Sequence, residues 1–220
     1  MAKKNAINNK TQDLTVDPGA SGDSFVQFDI NGTGEFRIGV DDDDGDSFKV
    51  SQGSALGSND AMVISADGEI TRPLQPAFLI ADAGVTNVTG DSTNYTVNWS
   101  TGTEHFDQNN DFDGTSTFTA PVTGKYMFTS SLFLKDFTSS HTSLYITLST
   151  SNRDYVVGYI NGYLGSTGTG GNQYTPGFSF IVDMDASDTA VLKIAVDNGT
   201  KIIDFNGFNR NDFFSGFLAC

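Results

Sequence analysis

Residues that do covalent chemistry are scarce in this chain. Cysteine occurs once, at Cys220, so no intrachain disulfide can form and the fold must hold without stapling. Cys220 also lacks the cationic sequence neighbour that makes a thiol reactive. Histidine occurs only at His105 and His141. Neither has a nucleophile or carboxylate at a spacing that suggests a dyad, and both are expected in surface loops. Carboxylates are plentiful, but a glycosidase pair is defined by spatial separation, which abundance cannot supply. The chain is therefore expected not to be an enzyme. Basic residues are outnumbered 12 to 27, for a net charge of −15, and the excess acid is spread along the chain. No basic stripe exists to neutralise a phosphate backbone, which excludes nucleic acid as a partner. No apolar run is long enough for a signal peptide or a membrane span. The chain is accordingly expected to be made in the cytosol, and to leave it by lysis or as part of a particle.

What remains is β-sequence. No helix-period run exceeds two turns, while short alternating segments recur between glycines. Residues 1–21 are polar and aperiodic, an arm that would be disordered alone and is expected to order against a partner. Residues 22–73 read as short strands at Ser24–Ile30, Glu35–Val40, Ser47–Ser51, Ala61–Ser65 and Glu69–Thr71. The acidic turn Asp41–Asp46 and the tight turn Ala66-Asp67-Gly68 punctuate them. So small a module is marginal as a monomer, and association of three copies would supply the missing burial. The boundary falls at Arg72-Pro73-Leu74-Gln75-Pro76, the one place where two prolines lie close together. From residue 74 to 220 a second domain carries strands at Ala77–Ile80, Tyr95–Ser100, Leu144–Ser149, Tyr155–Ile160, Phe178–Met184, Ala190–Val196, Ile202–Phe205 and Phe213–Leu218.

The segment 112–134 is the most specific. Thr115–Thr119 alternates about Phe118, Ala120-Pro121 breaks the ladder, and Gly124 can take a positive φ. Tyr126 and Phe128 open the next strand, with one slip of period before Leu132-Phe133-Leu134 that a bulge would absorb. These features predict a β-hairpin.

Phe118, Pro121, Gly124, Tyr126 and Phe128, with the closing Gly216-Phe217, resemble the globular head shared by complement component one-q and the tumour necrosis factors. The acidic joint Asp183–Asp188 resembles that family's connection before its penultimate strands. The likeness covers about 140 residues. It implies an all-β, ten-stranded jelly-roll sandwich, assembled as a homotrimer. No collagen stalk is present, so complement activation and cytokine signalling are not implied. Residues 46–71 resemble small interchain β modules of fibre and spike proteins of tailed bacterial viruses. Together these imply a virion structural protein of a tailed bacteriophage, a short trimeric fibre or decoration knob on the particle surface. Residues 1–21 would bind a capsid or tail protein, and the head would adhere to a host-surface glycan or protein. The alternatives are a particle-stabilising decoration protein without a receptor, and a free carbohydrate-binding lectin.

Two metal readings follow from spacing. Asn109, Asp111 and Asp113, before Gly114, reproduce the first half of a calcium loop, although Ala120 stands where the bidentate glutamate belongs. The run Asp41–Asp44 could also gather hard cations, or serve as a solvated, self-repelling turn. No other cofactor is expected. For ligand recognition the candidates are Tyr163 and Tyr174, flanking the glycine-rich stretch 165–171, since exposed tyrosines on flexible loops suit glycan or protein surfaces. Tyr155 and Tyr159 read instead as core or interprotomer strand residues.

Overall fold

The computed structural model describes residues 16–19, 21–32, 35–161, 172–206 and 212–220. The chain forms two compact units, 1–74 and 75–220. Most of the arm 1–21 lies outside the described residues.

In the first unit, β1 (Ser24–Asp29), β2 (Glu35–Asp41), β3 (Ser47–Gln52), β4 (Asp60–Ile64) and β5 (Ile70–Thr71) form an antiparallel meander in sequence order. A single 3-10 turn at Asp42–Asp44, ended by Gly45 in the left-handed region, reverses the chain between β2 and β3. The register sorts the side chains by face. Val26, Ile38, Val50 and Met62 form one cross-strand row, and Val40, Phe48, Ile64 and Ile70 another, with Phe28 beside Phe36. Polar Ser47, Lys49 and Ser51 take the opposite face of β3, and there they are buried. The loop 53–59 closes over that polar face, with Leu56 buried and the Gly57 amide donating to Asp60. Alternation thus runs as the sequence implies, but the apolar side is the uncovered one.

Lys49 explains why the polar side is covered. Its ammonium, 3% exposed, lies 2.8 Å from Asp41, 2.6 Å from Asp44 and 3.4 Å from Asp60. Burial alone would push Lys49 toward its neutral form, but the hydrogen bonds it donates to Asp41 and Asp44 more than offset this and raise its pKa above the ordinary lysine value. Lys49 in turn holds the Asp41 carboxyl below its usual range, against the opposing effect of burial. Asp41–Asp44 is therefore neither a free cation trap nor a purely repulsive turn, because a lysine occupies its centre.

The second unit is a jelly-roll sandwich. Its strands are β6 (Ala77–Ala81), β7 (Gly84–Thr89), β8 (Tyr95–Thr96), β9 (Thr103–Asp107), β10 (Phe118–Thr119), β11 (Gly124–Ser131), β12 (Leu134–Phe137), β13 (Ser143–Thr150), β14 (Asp154–Asn161), β15 (Asn172–Tyr174), β16 (Gly177–Met184), β17 (Thr189–Asp197), β18 (Ile203–Asn206) and β19 (Phe213–Leu218). One five-stranded sheet runs β16-β11-β19-β6-β9; the other runs β10-β17-β13-β14, with β8 also on β17. A smaller sheet, β15-β12-β18-β7, adds four strands to these ten. Among the described strands of this unit, only β13 and β14 are consecutive and paired with each other; elsewhere the chain crosses between sheets.

That crossing corrects the predicted hairpin. β10 pairs with β17 and β11 pairs with β16 and β19, so the two segments lie in opposite sheets. Ala120-Pro121 carries the chain from one layer to the other, with the Ala120 amide and carbonyl satisfied by Asp188 and Ser187. The period slip after Ser131 is likewise no bulge: the chain leaves the sheet there, and Leu134–Phe137 joins the smaller one.

Aromatic rings fill the space between the layers. Phe78 stacks on Phe112 at 4.9 Å and on Phe118 at 5.3 Å, and meets Phe214 edge-on at 5.1 Å. Trp99, fully buried, meets Phe205 edge-on.

Candidate functional site

The residues carrying the resemblance divide into interior and surface. Phe118, Tyr126 and Phe128 are fully buried, and the Tyr126 hydroxyl donates to the Val122 carbonyl across the Pro121 turn. Gly216 lies beneath two rings: a Cβ there would come within 2.7 Å of Phe128 and 2.8 Å of Phe78. Gly124 has a related role and does not supply a positive φ. It opens β11, where a Cβ would meet Leu218 at 2.6 Å and the Cys220 carbonyl at 2.8 Å. Phe217 is at the surface; it points away from the core and is 46% exposed.

Phe217 sits on the outward face of the sheet β16-β11-β19-β6-β9, where apolar side chains lie beside the hydroxyls of Ser179, Thr129 and Ser215. Register places Ile181, Met127, Phe217 and Ala77 in one row across four strands. Ser179, Thr129, Ser215, Leu79 and Phe106 form the next row, and Phe213 faces Ala81 beyond it. Ile181 is 56% and Phe106 48% exposed. Leu79, Ala81, His105 and Phe213 line a shallow depression of about 460 Å³ on this sheet. Lys125 and Asp183, paired at 3.1 Å, mark its charged margin. An apolar centre with a charged margin is the anatomy of a protein–protein interface, and only the alternation of β11, β16 and β19 hints at it in the sequence.

The calcium-loop reading does not assemble. Asp113 Oδ1 accepts the backbone amides of Thr115, Ser116 and Thr117, closing its own turn. Burial raises the Asp113 carboxyl, but those amides more than offset it, and its pKa ends below the usual value. Asp111 goes the other way, raised by burial and by the neighbouring Asp107 charge. Asn109 and Asp111 precede a carboxylate already committed to the backbone. Among the described residues no three His, Cys, Asp or Glu side chains gather as a metal group.

The histidines separate. His105 is exposed on β9, whereas His141, expected at the surface, is fully buried. His141 Nδ1 accepts the Thr138 amide at 2.9 Å, and its Nε2 lies 3.1 Å from the Thr200 carbonyl, so the ring pins two loops. A Cβ at Gly199 would strike that ring at 2.2 Å, which is why glycine stands beside it. Cys220 is free and exposed.

The tyrosines also rearrange. Tyr163 and the glycine-rich stretch lie outside the described residues. Tyr174 packs edge-on against Phe137 at 4.9 Å and is partly buried against the core. Tyr159, read as a core or interprotomer residue, is exposed, so it is not core, and its ring tilts against that of Tyr145 with centroids 4.8 Å apart. Tyr155 is half-buried against Phe180, with the Arg153 guanidinium over its ring. Asn152, Arg153, Tyr155, Asp183 and Asp185 line a polar cleft of about 560 Å³ that sequence reasoning did not identify.

One buried acid has a thermodynamic consequence. Asp212 is fully buried, accepts the Ala83 amide at 3.0 Å, and is pushed up to about 6 by burial, with the Asp82 charge adding to the rise. The folded chain keeps that proton to about pH 6, while the unfolded chain releases it near the ordinary aspartate value of 3.8. The associated stability is full below the unfolded value and is lost as pH rises through the folded one, a swing of about 3 kcal/mol by pH 7. Asp212→Asn keeps an acceptor for Ala83 without the charge. It is expected to melt close to the parent at pH 4 and above it at pH 7; a difference independent of pH would refute this assignment.

No protein-family model matches the chain, and no curated protein matches it. Among solved structures it is similar to murine APRIL at pH 8.5, with 10% identity and a TM-score of 0.44, covering 66% of this chain and 98% of that one. It is similar to the globular domain of zebrafish complement 1qA protein at 16% identity and a TM-score of 0.41, over 66% and 98% of the two chains. It is also similar to the Eiger tumour necrosis factor of S. frugiperda at 10% identity and a TM-score of 0.45, over 66% and 93%.

Proposed function

We propose that this chain is a non-enzymatic structural protein of a tailed-bacteriophage particle, a short homotrimeric knob displayed at the virion surface. The observation that carries the reading is the outward apolar face about Phe217. Monomeric proteins rarely leave several large apolar side chains such as Ile181, Phe217 and Phe106 exposed on one sheet face, and further copies of the same head supply a matching face of apolar and hydroxylated side chains. Three heads about one axis would cover the face and leave the loops and the second sheet exposed. The viral setting rests on the likeness of residues 46–71 to fibre and spike modules, with residues 1–21 anchoring to a capsid or tail protein. Displayed in three copies, weak host contacts multiply by avidity. The cleft of Asn152, Arg153, Tyr155, Asp183 and Asp185 favours a glycan as the host ligand, because it sets an aromatic ring among hydrogen-bonding groups.

The test is made on intact particles. Antibody raised against the chain is expected to decorate particle surfaces in electron micrographs, with labelling lost when residues 1–21 are deleted. Antigen found only in the soluble fraction of a lysate would overturn the virion reading. Glycan binding by that soluble protein, abolished by Tyr155→Ala, would favour a free lectin.

A further inference from the structure

The meander β1–β5 is built inside out, and that arrangement carries an inference of its own. A protein sheet normally covers its apolar face and wets its polar one. Here the loop 53–59 and the Lys49 ion cluster seal the polar side, while the apolar rows lie open. Phe28 is 55% and Ile70 63% exposed, at opposite edges of the sheet, so the open face spans all five strands. The register rows on it contain no charged residue.

We propose that this face is a second, separate self-association surface, on which the amino-terminal modules of the assembled chains pack apolar side to apolar side. Three occupants compete. The arm 1–15 is a poor cover, since its large aliphatic residues beyond Met1 are only Ile7 and Leu14. A foreign protein would have to be matched in number to every chain. Copies of the module meet that requirement automatically, and they present the same uncharged surface.

Size decides how the surface works. Five strands at ~4.8 Å spacing and about six residues at ~3.3 Å give a face of roughly 24 by 20 Å, or about 480 Å². That is below the ~800 Å² per partner of a standard stable interface. Alone the modules would associate weakly; tethered to an assembled head, each meets its partners at millimolar-scale effective concentration. The inference therefore rests on head assembly, and its test must separate the two.

Single cysteines placed in a full-length Cys220→Ser background supply that test. Phe48→Cys and Ile70→Cys lie on the open face, and Gln27→Cys on the opposite one. Native mass is read first, then reaction with a maleimide and with a short bis-maleimide. In assembled protein, thiols at positions 48 and 70 are expected to react at least tenfold more slowly than at position 27, and to give covalent chain multimers that position 27 does not give. Equal reactivity in protein of multimeric mass overturns the proposal while leaving head assembly standing. A single-chain mass for the Cys220→Ser parent instead overturns head assembly, and with it the tethering argument. Ile70 lies at the sheet edge, so position 70 reports even where a cysteine within β3 disturbs folding.

Discussion

Lys49→Met is expected to unfold the amino-terminal unit while the head stays folded. Methionine fills much the same volume, so packing is nearly preserved and the change isolates the charge. Asp41 and Asp60, whose side chains are 7% and 11% exposed, would remain buried with no cation. Breaking a buried ion pair by removing one partner costs about 3–5 kcal/mol, comparable with everything so small a module has to spare. Hydrogen exchange is expected to show amides of β1–β5 losing protection while those of β11, β13 and β17 keep theirs. Acid should narrow the deficit, because protonating the carboxylates removes the uncompensated charge. In the parent the sign is opposite: Lys49 holds Asp41 below the ordinary aspartate value of 3.8, so the stabilisation is present above that value and is lost as pH falls through the lower folded one. A variant with parental protection would show that the ion cluster does not hold this unit together.

Phe217→Asp is expected to separate the chains without unfolding them. The side chain points out of β19 and is already 46% exposed in the single chain, so the substitution leaves the core untouched. In the proposed assembly it would place a carboxylate from each copy in an apolar, water-excluded centre. An unpaired buried charge costs several kcal/mol, and the cost recurs in every copy. Circular dichroism should match the parent while the native mass falls to that of one chain. An unchanged mass would move the interface elsewhere on the head.

Much of the fold is legible in residue order because period-two alternation shows directly which side chains share a face. β13, β16, β17 and β19 fall where alternation puts them, and Phe118, Tyr126 and Phe128 are recognisable as interior. Alternation does not say which face is covered. In β3 the pattern Ser-Phe-Lys-Val-Ser fits either orientation, and only the clustering of Asp41, Asp44 and Asp60 about Lys49 decides it; Asp60 is eleven residues away in sequence. Pairing partners are similarly hidden. Ala120-Pro121 marks the end of β10, but a tight turn within one sheet and a crossing between two have the same local sequence. The burial of His141 is hidden for a related reason, since it depends on Thr138 and on Thr200, fifty-nine residues further on. The apolar face about Phe217 emerges only once five strands from across residues 77–218 are brought side by side.

Sedimentation equilibrium of the full-length chain at micromolar concentration tests the central claim most directly. A mass of three chains, falling to one in Phe217→Asp, is the predicted result; a well-behaved single-chain parent at that concentration would contradict it.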